Sequence, residues 1–360
     1  MDEINIDDKR SASDFRGSTF SKFKKTDVKK ELLNSINGGK IENACNWSAE
    51  LICSGHFSDL WEIILFCIGK HIHLGNPKLP IYINLRFQSF KEIVQNGYIG
   101  SELLMRNNDQ IRNLFAEVIS ILCVSNKKPA FEIIKIKPDE FNMTTLSGKL
   151  KASNVQYAKS VFRENDPNEI YICINELAFQ LGNTSKNILK SCYWIEWLIE
   201  FDAICRKKKQ ILAGEMRTFP KINQKYQNDV IWIVWELLLH MVKDNPVAEK
   251  IMNALLDLFS IKYTYAIKKK RRYLLYFAVE LVTENIPTKI EILDPKEKPI
   301  VNNVVQKINV IYKNIKKNEE KSNSGYLLEN LPTEKRTNAE KTIEKLGKMD
   351  AMAGAMMPRI

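Results

Sequence analysis

The sequence predicts a mostly α protein of α+β type: an N-terminal mixed α/β part, a C-terminal helical, bundle-like part, and flexible N- and C-terminal extensions. Three observations carry this. Gly and Pro number only 14 and 12 in 360 residues, too few for the frequent turns of sandwiches and barrels. From residue 186 onward apolar residues recur at helical spacing, whereas short stretches of the first half alternate with the period of a strand. The composition, 44% hydrophobic and 27% charged, is that of a globular chain with a sizeable core.

Residues 1–26 are polar, Ser-rich and basic toward "STFSKFKK", and read as a flexible basic arm. The opening residues have no apolar core and are no signal peptide. A mixed α/β domain is expected over 27–183. Within it, residues 44–74 read as two helices, Gly55 stopping the first and Ser58 with Asp59 capping the second. Pro77 and Pro80 in "NPKLPIYINLRF" predict a turn and then a short strand. Ile111, Leu114, Phe115, Val118, Ile119 and Leu122 predict a helix over 108–125. "AFEIIKIKPDEF" alternates as a strand does, Ile134 and Ile136 against Phe131 and Ile133, and Pro138 ends it. Residues 168–181 start extended and finish as a helix.

A helical domain is expected over 184–317, with helices near 186–209, 228–243, 246–261, 264–285 and 299–317. A short strand falls within "ENIPTKIEILDPKEKP" between the last two. Residues 318–360 are charged, low in large apolar residues and Met-rich at the end, and read as an extended tail with one exposed helix near 332–348. The longest apolar run, Val230 to Val242, contains Glu236 and His240 and is too short to span a bilayer.

The densest stretch is "SCYWIEWLIEFDAICRKKKQ", Ser191 to Gln210. At 100° per residue, Tyr193, Trp194, Trp197, Leu198, Phe201, Ile204 and Cys205 make one apolar face. Cys192, Ile195, Ile199 and Ala203 make a second. Glu196 and Glu200 fall between them, and Asp202 and Arg206 stand at i,i+4 spacing for a salt bridge. A helix apolar on two sides belongs between layers. "NDVIWIVWELLLHMVK" behaves the same way, and these two helices hold four of the six tryptophans.

Glu196 with Glu200 has the spacing of a carboxylate pair for metal or acid–base work, but a helical di-iron site wants Glu-x-x-His on two helices. Glu236 and His240 are four apart and have no second copy, so a buried ion-pair network is the stronger reading. Cys53, His56, Cys67 and His71 have the outline of a zinc site, with His73 nearby. Against zinc, Cys67 lies mid-helix in an apolar pattern where a buried thiol is ordinary. The odd count of seven cysteines in apolar runs reads as reduced, buried thiols. No nucleophile elbow, phosphate loop or dinucleotide fingerprint is present, so no catalytic residue and no cofactor is assigned.

The formal net charge is +11, which favours acidic partners: nucleic acid, an anionic membrane surface or an acidic protein lattice. The basic runs are Arg206, Lys207, Lys208 and Lys209, and Lys268, Lys269, Lys270, Arg271 and Arg272. Tyr263, Tyr265, Tyr273 and Tyr276 flank the second. Cations interleaved with aromatics suit nucleic-acid contact; the same pattern also makes a helix with a basic solvent face and amphipathic core tyrosines.

At "CYWIEWLIEFD", "DVIWIVWELLLHMVK" and "WSAELICSGHFSDLWEIILFCIGKHIHLGNPKLPIYI" the chain resembles a virion structural family of the large nucleocytoplasmic DNA viruses, the minor capsid proteins beneath the major-capsid shell. The resemblance covers roughly 44–285 and rests on aromatic-rich helices, with no active-site motif. It implies a non-enzymatic structural protein that bridges or stabilises the capsid lattice. Its partners would be the major capsid protein and other minor capsid proteins, an inner membrane surface or nucleic acid, and no small-molecule substrate. Its places would be the virion capsid and, during assembly, the host cytoplasm. The alternative is a virus-encoded nucleic-acid-binding protein of transcription or genome packaging.

Overall fold

The computed structural model describes residues 4–286 and 291–321, and among these there is no strand or sheet; two isolated bridges, Ser18–Lys24 and Ala213–Asp229, are the nearest approach. The chain divides into two compact units. The larger, which takes in 4–5, 11–286 and 291–318 of the described residues, is a stack of helices. The smaller joins 6–10 to 319–321; here the Lys9 amide donates to the Glu320 carbonyl at 2.9 Å, and Arg10 pairs with Asp8 at 2.6 Å.

Four helices open the large unit: α1 (Lys25–Asn37), α2 (Ile41–Cys53), α3 (Phe57–Phe66) and α4 (Leu79–Gln95), followed by α5 (Asp109–Val124). Gly55, at φ +74, turns the chain between α2 and α3, as its position in the sequence predicts. Ser58 and Asp59 do not cap α3, because the helix already starts at Phe57 with His56 in the cap position. Past Phe66 the helix loosens into a π-helix, Cys67–Ile72. Two short helices follow, α6 (Met143–Ser147) and α7 (Tyr171–Leu181). The rest are α8 (Ile188–Lys207), α9 (Ile231–Met241), α10 (Pro246–Ser260), α11 (Ile267–Lys270), α12 (Arg272–Thr283) and α13 (Lys298–Lys316).

The mixed α/β character expected of residues 27–183 is not found. The segment expected as a strand after Pro77 is the first part of α4, since Pro80 occupies the first turn of the helix, where a missing N–H breaks no bond. Residues 131–136 have the alternation of a strand but no ladder partner, and without one the pattern makes no sheet. Residues 168–170 form a 3₁₀ turn leading into α7, not an extended start. No strand occurs over 291–297, and the rest of the strand expected there, 287–290, lies outside the described residues, as do 322–360 with the helix expected near 332–348. The single helix expected over 264–285 is two, α11 and α12, broken at Arg271.

Residues 15–21 of the arm expected over 1–26 are held by packing and hydrogen bonds. Phe15 and Phe20 are buried and stacked with centroids 6.2 Å apart. The Phe20 amide donates to Ser54 Oγ at 2.7 Å and the Ser21 amide to Glu50 at 3.1 Å. Burying two phenylalanines outweighs the polar composition around them.

The boundary expected between 183 and 184 falls inside the large unit. α4 packs on α10, and the π-helix packs on α12. At the centre lies α12, buried continuously from Arg272 to Leu281. Around it α8 and α9 bring Trp194, Trp232 and Trp235, each fully buried. Gly69 permits a close crossing: a Cβ there would stand 3.0 Å from the Tyr273 backbone. α13 is amphipathic and lays Val301, Ile308, Tyr312 and Ile315 against α2 and α5.

Candidate functional site

The acidic residues of α8 and the basic run at 268–272 turn out to be each other's partners. Asp202 accepts from Arg206 Nε at 2.8 Å, the predicted i,i+4 pair, and from Lys268 Nζ at 2.5 Å. Lys268 also donates to both oxygens of Asp229, at 2.8 and 2.9 Å. Asp229 in turn accepts from Tyr263 Oη at 3.0 Å and from the Ile231 amide at 3.1 Å, so it anchors the start of α9. Glu196 takes Arg272 Nη1 and Tyr276 Oη, each at 2.8 Å. Glu200 takes Lys269 at 2.8 Å on the surface, and Arg271 reaches Glu62 on α3 at 2.5 Å and the carbonyls of Phe259 and Ile261.

Lys268, Arg271 and Arg272 are therefore buried and face inward, while Lys269 and Lys270 of the same run are exposed. Tyr263, Tyr273 and Tyr276 are buried too, so none of these three offers a ring for stacking on a base. The physical reason is charge matching. Five cations of the two runs, Arg206, Lys268, Lys269, Arg271 and Arg272, meet five carboxylates, Glu62, Glu196, Glu200, Asp202 and Asp229. Burial raises the Glu196 carboxyl above its ordinary value against the pull of Arg272 and Tyr276.

A second buried group lies beside α9. Arg217, 1% exposed, holds Asp166 with two nitrogens, one at 2.7 Å, and Glu236 at 2.9 Å; Arg163 holds the other oxygen of Glu236 at 2.6 Å. Glu236 is thus a bridging carboxylate, and His240 on the same helix is exposed. Burial alone would raise the Asp166 carboxyl, but hydrogen bonds from Arg217 and from the Arg163 and Glu215 amides hold it below 3.8. Folding thus lowers this pKa, so its contribution to stability is complete above pH 3.8 and is lost as pH falls through the lower native value. Glu196 has the opposite sign: its cost at neutral pH is relieved as pH falls through its raised value. Urea midpoints followed down to pH 3 should drop, and Asp166→Asn should flatten that part of the curve; an unchanged slope in the variant removes Asp166 as its source.

The four residues with a zinc-like outline do not converge. His56 Nε2 meets the Ser18 carbonyl at 3.1 Å, Cys53 lies in the core, Cys67 lies in the π-helix and the His71 ring sits against Phe66. Among the described residues no group of three His, Cys, Asp or Glu side chains is placed to hold a metal ion. All seven cysteines are buried and unpaired. Burial pushes the Cys45 thiol up to about 11 and the Cys67 thiol up to about 12. A thiol-reactive disulfide reagent at neutral pH should therefore label the native protein slowly and reach all seven thiols only on unfolding. Fast labelling of any one would contradict the burial.

Asp229, Glu62 and the Asp166–Arg217 pair were not singled out in the sequence. Asp229 carried one local signal, a carboxylate immediately before the apolar run of α9. No helix among the described residues is long and apolar enough to cross a membrane. Comparison with protein-family models, with curated proteins and with solved structures found no match to this chain.

Proposed function

We propose that the chain is a non-enzymatic structural protein of a large DNA virus, a minor capsid protein that stabilises the capsid lattice. One observation carries the non-catalytic half of this reading. Glu196, Asp202 and Asp229 are each engaged by a buried cation, which ties the carboxylate to its partner instead of leaving it open as a base or nucleophile. The same pairs tie four helices to one another, which suits a rigid building block. The virion half rests on the resemblance of residues 44–285 to the minor capsid proteins. The expected partners are the major capsid protein and other minor capsid proteins.

Imaging and mass spectrometry of purified virions of the virus that encodes the chain should find it at stoichiometric, ordered positions in the capsid. Recovery from infected-cell lysate alone, with none in washed particles, would sink the reading.

A further inference from the structure

The segment 131–136 leaves its backbone unused. The chain on either side is anchored: the Lys128 and Ala130 amides donate to the Ile72 and Lys70 carbonyls at 3.1 and 2.8 Å, and the Lys137 amide donates to Glu140 at 3.1 Å. Between these anchors no amide or carbonyl of 131–136 makes a hydrogen bond among the described residues, and the chain has neither helix, turn nor bend. We propose that this segment is a docking edge, to which an extended stretch of a partner protein with alternate apolar and acidic residues adds as a β-strand. The proposal stands apart from the capsid reading and does not depend on it.

The segment is already shaped for pairing. Ile134 and Ile136 are half-buried, whereas Phe131, Ile133, Lys135 and Lys137 are exposed. That is the period of two of a strand with one face against the protein. A stretch held extended beforehand loses little freedom when a second strand joins it. Six residues at strand rise span about 20 Å, an ordinary strand length. Pro138 has no amide to donate, so a ladder ends there.

The exposed face selects the occupant. Phe131 and Ile133, 39% and 40% exposed, are followed on it by Lys135 and Lys137, neither of which has an ion pair among the described residues. Glu132 belongs to the alternate set and pairs with Lys70 at 3.5 Å. A matching strand carries apolar residues opposite 131 and 133 and carboxylates opposite 135 and 137, since such cross-strand pairs stabilise and like charges repel. A second copy of the chain does not supply this. Its own exposed face offers the two lysines no carboxylate, and lysines on an edge are a common guard against self-pairing.

The test uses the full-length protein and the fluorescein-labelled peptide Glu-Thr-Glu-Thr-Val-Thr-Val, followed by anisotropy. Run antiparallel, it sets its glutamates opposite Lys137 and Lys135 and its valines opposite Ile133 and Phe131. It should bind saturably, and about 2- to 30-fold more tightly than the same peptide with glutamine for glutamate, the worth of two cross-strand ion pairs. Combining Lys135→Gln with Lys137→Gln should remove that margin, and the thermal melt should match the parent because both side chains are exposed. Two further copies of the acidic peptide, N-methylated at alternate amides in the two possible phases, test the backbone with the protein unaltered. The phase whose methyl groups face the segment should fail to bind, and the other should bind as the unmethylated peptide does. Absence of saturable binding, a margin that survives in the double variant, or equal behaviour of the two methylated copies would overturn the proposal. So would a parent protein that sediments as a dimer and refuses the peptide, which would assign the segment to a second copy.

Discussion

Replacing Asp229 with alanine should lower stability by about 3–5 kcal/mol, the range for removing one partner of a buried ion pair. The carboxylate has no accessible surface and receives Lys268, Tyr263 and the Ile231 amide at once. Without it the Lys268 ammonium keeps only Asp202, which already serves Arg206. Urea denaturation should show a lower midpoint with little change in the slope of the transition. Lys268→Met should be costly for the mirror reason, leaving two carboxylates to share Arg206. The double variant is the decisive measurement. Removing both partners leaves less uncompensated charge, so its loss should be smaller than the sum of the single losses by about 0.5–3 kcal/mol. Strict additivity would show that the two side chains do not act as a unit.

Gly69→Ala should destabilise by about 1–3 kcal/mol, at the upper end of that range for overpacking. The added methyl would meet the carbonyl carbon and Cβ of Tyr273 at 3.0 Å and the Leu274 nitrogen at 3.1 Å. Two of these are backbone atoms of α12, which no rotamer change can move. α12 would have to withdraw, and with it Arg272 and Tyr276, which hold Glu196. Gly17→Ala is the natural control, because nothing stands within 4 Å of its added methyl, and it should shift the midpoint by less than about 0.5 kcal/mol. If the two variants melt alike, the π-helix and α12 do not pack as tightly as the crossing implies.

The long helices were legible because a 3.6-residue period over a dozen or more positions survives any tertiary context; α8, α10 and α13 begin and end within two residues of their expected bounds. The short elements were not. Proline is compatible with the first turn of a helix as well as with the end of one, and only the structure distinguishes the two at Pro80. The alternation at 131–136 describes side chains and says nothing about a neighbouring strand. The orientation of the basic runs was hidden for a different reason. The counter-ions of Lys268, Lys269, Arg272 and Arg271 lie 39, 69, 76 and 209 residues away in the chain. Local charge patterning finds Arg206 with Asp202, one turn apart, and has no access to the others.

The π-helix at Cys67–Ile72 makes this part of the chain sensitive to length more than to identity. Its wider turn accommodates extra backbone before His73, which adopts φ +50 where the helix ends. The carbonyls of Lys70 and Ile72 then accept the amides of Ala130 and Lys128 at 2.8 and 3.1 Å. Deleting a single residue within it would allow α-helical bonding to run on, yet everything downstream would be rotated by about 100°. Those two carbonyls would turn away from the segment they hold, and Gly69 would no longer face α12. Substitutions that keep the count at six should be tolerated there far more often than any insertion or deletion, so this short helix works as a spacer whose reading frame the rest of the core depends on.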